Sequence, residues 1–171
     1  MDTNDTLPLV EDLATALLAR GWLMSTAESC TGGLIAAACT ELAGSSNWFD
    51  RGLVTYSNEA KTDLLGVPAS LIAQHGAVSE AVARAMASGA LARSQAHMAV
   101  AVAVTGVAGP TGGSPDKPVG TVWLAWAARD GRVHAERQQF AGDRAAVRAA
   151  TVQCALQGVL DTVLSADLAD R

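Results

Sequence analysis

The sequence predicts an α/β fold, a three-layer α/β/α sandwich with a mixed five-stranded sheet. Helix-like and strand-like segments alternate early in the chain, which is typical of parallel strands joined by crossover helices. Residues 98–104 form an unbroken run of mainly Val and Ala, as in a strand that is covered on both faces. Two late strand-like segments meet at Asp130-Gly131, a hairpin signal that makes one of them antiparallel.

The first part of the chain predicts a helix, a strand, a polar turn and a second helix. Apolar residues recur every three or four positions over residues 8–20, and Gly21 follows in the position of a helix C-cap. Residues 22–26 are strand-like, and residues 28–33 are a polar turn with two glycines. Residues 34–42 then form an Ala-rich helix, which can pack closely against a sheet.

The middle of the chain predicts a second strand and three helical segments. Residues 49–56 contain a run rich in β-forming residues. Asn58 is the expected N-cap of a short helix over residues 58–65, and another helical turn follows over residues 68–75. A longer amphipathic helix is expected over residues 79–93.

The last part of the chain supplies the remaining three strands and a long helix. The apolar strand over residues 98–104 leads into a Gly- and Pro-rich loop, residues 105–113, which we expect to be mobile or ordered by a ligand. Residues 119–128 and 132–140 are the two strands of the hairpin. A helix over residues 143–168 completes the predicted fold.

Composition and charge bound the possible functions. The 171 residues are expected to form a single domain, residues 1–171, because this length fits one compact domain. Half of the residues are apolar and only 17% are charged, which is typical of a well-filled core. A net charge of -5, with 12 Lys and Arg, argues against a nucleic-acid surface and favours a small-molecule partner. The acidic N-terminus is unlike a signal peptide and no apolar run is long enough to span a membrane, so we expect a cytoplasmic protein.

Cysteine and tryptophan usage adds three expectations. The three cysteines are widely spaced, which indicates buried, reduced thiols rather than a disulfide framework. No cluster of His, Cys and carboxylates has the spacing of metal ligands, so no metal site is expected. Trp123 and Trp126 on one predicted strand suggest a subunit interface, and we expect a homo-oligomer.

Three polar loops follow the ends of predicted strands, at residues 28–33, 56–61 and 105–113. Ligands of open α/β sheets bind at the carboxyl ends of strands, so these loops are expected to share one cleft. Near the start of the final helix, Arg144 stands where a helix N-terminus and a guanidinium together favour a phosphate, although a capped helix with exposed arginines is the more common arrangement.

Ser29 and Lys61 are the predicted nucleophile and base of this cleft. Ser29 lies near the predicted start of the second helix, whose backbone N–H groups favour a developing oxyanion. His75 is expected at the end of a helix, and the other two histidines lie in strand-like segments, so a Ser-His-Asp arrangement is poorly supported. A desolvated lysine is therefore a better candidate for the base than a histidine. Tyr56 is expected to orient or relay the proton, and Asn58 to bind a ligand amide. A capping serine, a solvated lysine and a half-buried tyrosine are the alternative interpretations.

The motifs in these loops resemble the CinA C-terminal domain family, the stand-alone bacterial nicotinamide-nucleotide amidases. Six blocks carry the resemblance in order, namely TAESCTGG at residues 26–33, GSS at 44–46, VTYSNEAK at 54–61, GAVSE at 76–80, TGVAGP at 105–110 and KPVGTV at 117–122. The resemblance spans nearly the whole chain. Larger CinA proteins have a further N-terminal domain, for which 171 residues are too few, so only the amidase function is expected here.

The resemblance implies hydrolysis of the carboxamide of nicotinamide mononucleotide to nicotinate mononucleotide and ammonia, a salvage step that uses no cofactor. It implies catalytic roles for Ser29, Tyr56 and Lys61, and ligand-binding roles for Glu28, Thr31, Gly32, Gly33, Ser46, Thr105, Gly106, Gly109 and Arg144. Ser46 also stands in a family block and is the alternative nucleophile. Glu28 is expected to offset the cationic pyridinium ring. A nucleotide-binding module without turnover, or an interaction domain in competence and DNA-damage responses, is the alternative function.

Overall fold

The computed structural model describes residues 6–166 and confirms the predicted α/β class. Its helices are α1 Leu7–Arg20, α2 Leu34–Glu41, α3 Asn58–Leu65, α4 Ala69–His75, α5 Glu80–Arg93 and α6 Arg144–Leu164. Its strands are β1 Leu23–Glu28, β2 Phe49–Val54, β3 Ala99–Gly106, β4 Thr121–Ala128 and β5 Val133–Gln139. A short 3-10 turn, Ser45–Asn47, precedes β2.

The five strands form one mixed sheet in the order β2-β1-β3-β4-β5. Strands β2, β1 and β3 run parallel, whereas β4 is antiparallel to both β3 and β5. The hairpin predicted at Asp130-Gly131 joins β4 to β5, and Gly131 adopts a φ of 95° there. Because the three parallel strands end at the same edge of the sheet, the loops that follow them lie side by side.

Helices cover both faces of the sheet and create two cores. Alternate residues of β3 serve the two sides: Val100, Val102 and Val104 pack with α1, α2 and α6, whereas Ala101 and Ala103 pack with α3, α4 and α5. All five are fully buried. Because alanine is small, α5 can lie close to the face of the sheet that Ala101 and Ala103 occupy. Strand β3 is therefore covered on both faces, as its unbroken run of Val and Ala predicts.

The carboxyl ends of β1, β2 and β3 each differ from the prediction by two residues, and this changes which polar side chains lie within a strand and which lie in the loop after it. Strand β1 continues to Glu28, because residue 28 still pairs with Val54 and Val104. Strand β3 continues to Gly106, whereas β2 ends at Val54, two residues before its predicted end. Tyr56 therefore lies beyond the strand rather than at its last position.

Two helix ends also differ from the prediction. The N-cap of α3 is Ser57 rather than Asn58, since the Ser57 hydroxyl accepts a hydrogen bond of 3.0 Å from the backbone N–H of Ala60. Helix α6 ends at Leu164. Residues 167 and 168 of the helix predicted there lie outside the described residues.

Trp123 and Trp126 lie on opposite faces of β4 and so do not form one shared surface, and the expected homo-oligomer stays a prediction. Trp126 is buried against α6, and its indole N–H donates to the carbonyl of Ala155 at 3.0 Å. Trp123 points to the opposite face of β4, next to the core that contains α5. Cys30 and Cys39 are buried free thiols, but Cys154 is only half-buried. Among helices within residues 6–166, none is both long and apolar enough to cross a membrane.

Candidate active site

A small cavity of about 200 Å³ lies where β1 and β3 end and where the segment after β2 begins. The predicted site residues that line it are Ser29, Tyr56, Asn58, Lys61, Thr105, Gly106 and Arg144. The carboxyl edge of the parallel strands thus brings together residues from all three polar loops and from the start of α6. The rest of the lining was not among the predicted site residues and consists of Cys30, Ala77, Val78 and Ala108.

The side chains of Ser29 and Lys61 meet inside this cavity. Lys61 Nζ lies 3.2 Å from Ser29 Oγ, although the two residues are 32 positions apart in sequence. Pairing of β1 with β2 sets this approach, because Glu28 lies opposite Val54 and the two following segments leave the sheet together. The separation is within reach of a proton transfer from hydroxyl to amine.

Lys61 is almost completely buried, with 1% of its surface exposed. Its ammonium nitrogen also lies 3.0 Å from the carbonyl oxygen of Thr55, 3.4 Å from that of Tyr56 and 3.5 Å from that of Ser57. Burial lowers the pKa of Lys61 from its ordinary value, while Cys30 and Glu59 raise it to a lesser extent. The net shift favours the neutral amine, the form that can act as a base.

Tyr56 faces the cavity differently from the prediction. Its side chain is 60% exposed, and its hydroxyl accepts a hydrogen bond of 3.2 Å from Arg144 Nη2. Arg144 Nη1 also donates to the carbonyl of Gly109 at 2.9 Å. The contact of Tyr56 with Lys61 is made by its backbone carbonyl, so its phenol belongs to the rim of the cavity together with Arg144.

Glu28 serves the protein backbone and is not a wall of the cleft. Its carboxylate is fully buried. It accepts hydrogen bonds from two hydroxyls and three backbone N–H groups, at 2.7–3.2 Å, namely Thr26 Oγ1, Thr31 Oγ1, Gly33 N, Ile35 N and Ala36 N. Glu28 is therefore closed to direct contact with a ligand, because the carboxylate caps the first turn of α2, and its expected effect on the charge of a pyridinium ring stays a prediction.

The turn between β1 and α2 still leaves two backbone donors beside the serine. Gly32 and Gly33 have φ values of 60° and 103°, which turn the chain sharply into the helix. Since Glu28 takes the N–H groups of Gly33, Ile35 and Ala36, these donors of the helix start are not free for an oxyanion. The N–H groups of Cys30 and Thr31 donate to no oxygen in residues 6–166.

Other predicted site residues lie around or away from the cavity. Thr105 lines it but its hydroxyl donates to the carbonyl of Ala77 at 2.9 Å. Gly109 lies on the rim, where its carbonyl meets Arg144. Ser46 is exposed in the turn before β2, at the amino edge of the sheet. The six residues of β2 separate it from the cleft by about 20 Å at 3.3 Å per residue.

Two side chains that were not among the predicted site residues also shape the site. Arg148 Nη2 donates to the carbonyl of Thr31 at 3.0 Å, and the only signal for it is its position one helical turn after Arg144. Burial raises the pKa of the Cys30 thiol to about 11, so the thiol next to Ser29 stays protonated at neutral pH. Within the described chain, no three His, Cys, Asp or Glu residues are placed to hold a metal ion.

Comparison with known proteins finds a matching family and similar proteins over most of this chain. The CinA C-terminal domain pattern matches residues 6–163. The "Nicotinamide-nucleotide amidohydrolase PncC" of Enterobacter agglomerans is 57% identical over 149 residues, 87% of this chain and 90% of that protein. The protein of the same name from Pseudomonas putida is 62% identical over 138 residues, 80% of this chain and 84% of that protein.

The fold has a solved counterpart of similar length. The crystal structure of the competence/damage inducible protein CihA from Agrobacterium tumefaciens superposes with a TM-score of 0.88 and 50% identity, over 92% of this chain and 94% of that one.

Proposed function

The chain belongs to the CinA C-terminal domain family, and we propose that it hydrolyses the carboxamide of nicotinamide mononucleotide. The products are nicotinate mononucleotide and ammonia, which makes the reaction a step of pyridine nucleotide salvage. The names of its relatives support the substrate. The approach of Lys61 Nζ to Ser29 Oγ within 3.2 Å, in a desolvated cavity, is the observation that carries the mechanism.

In the first half-reaction, neutral Lys61 takes the proton of the Ser29 hydroxyl as Oγ attacks the carboxamide carbon. The resulting tetrahedral intermediate carries a negative charge on the former carbonyl oxygen. The N–H groups of Cys30 and Thr31 are the donors proposed to hold this oxyanion. Lys61, now an ammonium, protonates the amide nitrogen, the C–N bond breaks, and ammonia leaves an ester on Ser29.

In the second half-reaction, water replaces ammonia in the cavity. Lys61 accepts a proton from the water, whose oxygen attacks the ester carbon, and then returns the proton to Ser29 as the acid is released. The carbonyls of Thr55, Tyr56 and Ser57 hold Nζ in place and stabilise the transient ammonium. Because the pyridinium ring is cationic, it favours the neutral state of Lys61 when substrate is bound.

The roles of the remaining residues follow from their positions. Asn58 is proposed to bind the carboxamide, since it lines the cavity beside Lys61. Tyr56 and Arg144 form the rim through their hydrogen bond, so the Tyr56 phenol orients ligand rather than relays the proton. Ser46 is not proposed as the nucleophile, since the length of β2 separates it from Lys61 within one chain.

Release of ammonia from nicotinamide mononucleotide tests this proposal. We expect steady turnover by the wild type and a loss of at least about 10³-fold in kcat for Ser29→Ala and for Lys61→Met. Ser46→Ala is the matched control, since it removes a serine hydroxyl from the other edge of the sheet, and it should keep the wild-type rate. Loss of activity in Ser46→Ala with retention in Ser29→Ala would overturn the assignment.

A binding measurement separates the enzyme from the two alternative functions. A nucleotide-binding module would raise its Tm with nicotinamide mononucleotide yet release no ammonia. An interaction domain of competence or DNA-damage responses would show neither effect. The Ser29→Ala variant of an amidase should still show the Tm increase, because the hydroxyl serves chemistry more than binding.

A further inference from the structure

A second, larger cavity of about 610 Å³ adjoins the catalytic cavity. The two share Ala108 and Arg144 in their linings, so Arg144 stands between them. Pro110 and Val119 form an apolar wall of the larger cavity, and Arg148 lies on its opposite, α6 side. Its volume is within the roughly 300–1,000 Å³ typical of small-molecule sites.

We propose that this second cavity binds the phosphate of the substrate through Arg148 and Arg144, and that Arg148 transmits phosphate binding to the serine turn. The inference rests on the proposed function for the identity of the ligand. The inference itself concerns only the phosphorylated sugar of that ligand: the cavity binds a phosphomonoester attached to a sugar and does not bind the neutral sugar.

The charge of the cavity supports an anionic ligand. The chain has a net charge of -5, yet two guanidinium groups one helical turn apart on α6 line this one cavity. The single acidic residue in its lining, Asp143, is the N-cap of α6 and accepts a hydrogen bond of 2.9 Å from the N–H of Ala146. Paired guanidinium groups match phosphate oxygens in geometry as well as charge.

Arg148 has donors to spare for such a ligand. One terminal nitrogen donates to the carbonyl of Thr31, but its Nε is buried and has no partner among residues 6–166. Because Nε has almost no accessible surface, the donors that Arg148 can offer a ligand in the cavity are the N–H groups of its other terminal nitrogen, Nη1. Arg144 also keeps unused donors after its bonds to Gly109 and Tyr56.

The more familiar place for a phosphate in this fold is already occupied. In open α/β sheets the Gly-rich turn after the first strand usually presents helix N–H groups to a phosphate. Here the carboxylate of Glu28 takes the N–H groups of Gly33, Ile35 and Ala36. A second negative charge would be repelled from that turn, which leaves the arginine-lined cavity for the phosphate.

Arg148 connects this cavity to the nucleophile. The carbonyl that it holds belongs to Thr31, two residues after Ser29, and Thr31 N–H is one of the donors proposed for the oxyanion. A phosphate that fixes the guanidinium therefore also fixes the turn. Remote binding energy used in this way raises kcat and does not only lower KM.

Binding of ribose 5-phosphate tests the site without any amide chemistry. Wild-type protein should bind ribose 5-phosphate and ignore ribose, as measured by calorimetry. Arg148→Gln and Arg144→Gln should each weaken binding about 10- to 100-fold, the usual effect of losing a charged hydrogen-bond donor. Arg51→Gln is the control, because Arg51 pairs with Asp50 on β2 and should leave affinity unchanged. Equal affinity for ribose and ribose 5-phosphate, or unchanged binding in Arg148→Gln, would overturn the site.

Kinetics with nicotinamide riboside test the connection to the serine turn. Phosphite dianion, added in trans, should raise kcat/KM for the riboside about tenfold or more in the wild type and have no effect in Arg148→Gln. Arg148→Lys, which keeps the charge and guards against a folding defect, should recover part of the activation. Activation that persists in Arg148→Gln, or its absence in the wild type, would refute the connection.

The outcomes distinguish this inference from the proposed function. If ribose 5-phosphate binds through Arg148 but nicotinamide mononucleotide is not hydrolysed, the anion site stands and the amidase proposal fails. If the mononucleotide and the riboside are hydrolysed with equal kcat/KM, the amidase proposal stands and the anion site fails.

Discussion

Replacing Glu28 by Gln tests whether the buried carboxylate holds α2 to the sheet. One oxygen accepts from Thr31 Oγ1, Gly33 N and Ile35 N, and the other accepts from Thr26 Oγ1 and Ala36 N. Glutamine has the same shape but only one acceptor atom. Its amide group is best placed where the second oxygen was, because that position contacts fewer backbone donors.

The magnitude follows from the bonds that remain. The Thr26 hydroxyl can rotate and accept from the new amide, but the N–H of Ala36 then faces another donor, which costs about 1–3 kcal/mol for a buried, unsatisfied group. The three bonds to the retained oxygen lose their ionic character, worth about 1 kcal/mol more in total. Relief of carboxylate desolvation offsets part of the loss. We expect Glu28→Gln to lower the free energy of unfolding by about 2–4 kcal/mol.

Urea denaturation measures this loss as a lower midpoint at an unchanged slope. Glu41→Gln is the matched control, because Glu41 ends the same helix on the exposed side and should change stability by less than about 0.5 kcal/mol. A loss below about 1 kcal/mol for Glu28→Gln, or an equal loss for both variants, would show that the carboxylate does not cap α2.

Three further results are expected. Activity should rise as the pH increases, with a midpoint below the ordinary lysine pKa, because burial lowers the pKa of Lys61 and only the neutral amine is a base. Activity that is highest at acidic pH and falls through this midpoint would contradict the role of Lys61. Gly158→Ala should lower Tm and cost about 1–3 kcal/mol, since its Cβ would meet the Trp126 ring, whereas an unhindered helix position would gain from alanine. Native protein should react far more slowly than free cysteine with a disulfide reagent at pH 7, because burial raises the pKa of Cys30 to about 11 and that of Cys154 to about 12. Complete reaction of the thiols should require denaturant.

The fold was predictable because its signals are local. Apolar periodicity, glycine stops and one Asp-Gly hairpin depend on residues close in sequence, and they gave the mixed five-stranded sheet. Trp123 and Trp126 do not form one surface, because their three-residue spacing places them on opposite faces of an extended strand, and the subunit interface expected there stays a prediction. Only the strand register, which depends on long-range pairing, reveals that one of them is covered by α6.

The site was predictable in its residues but not in its distances. Ser29 and Lys61 stood out as chemical groups at strand ends, whereas their separation of 3.2 Å depends on how β1 pairs with β2. The role of Glu28 depended on a difference of two residues in the end of β1. A carboxylate in the turn would face a ligand, but one at the last strand position faces the helix that follows.

The capping role of Glu28 also bears on how Lys61 can be a base. A free carboxylate beside a buried lysine would favour the ammonium and raise its pKa. Here the carboxylate charge is balanced by three backbone N–H groups and two hydroxyls, and burial remains the largest influence on the pKa of Lys61. The acidic residue nearest to Ser29 in sequence is therefore directed to the backbone, where it does not oppose the lowered pKa of Lys61, and Arg144 and Arg148 form the cationic side of the cleft.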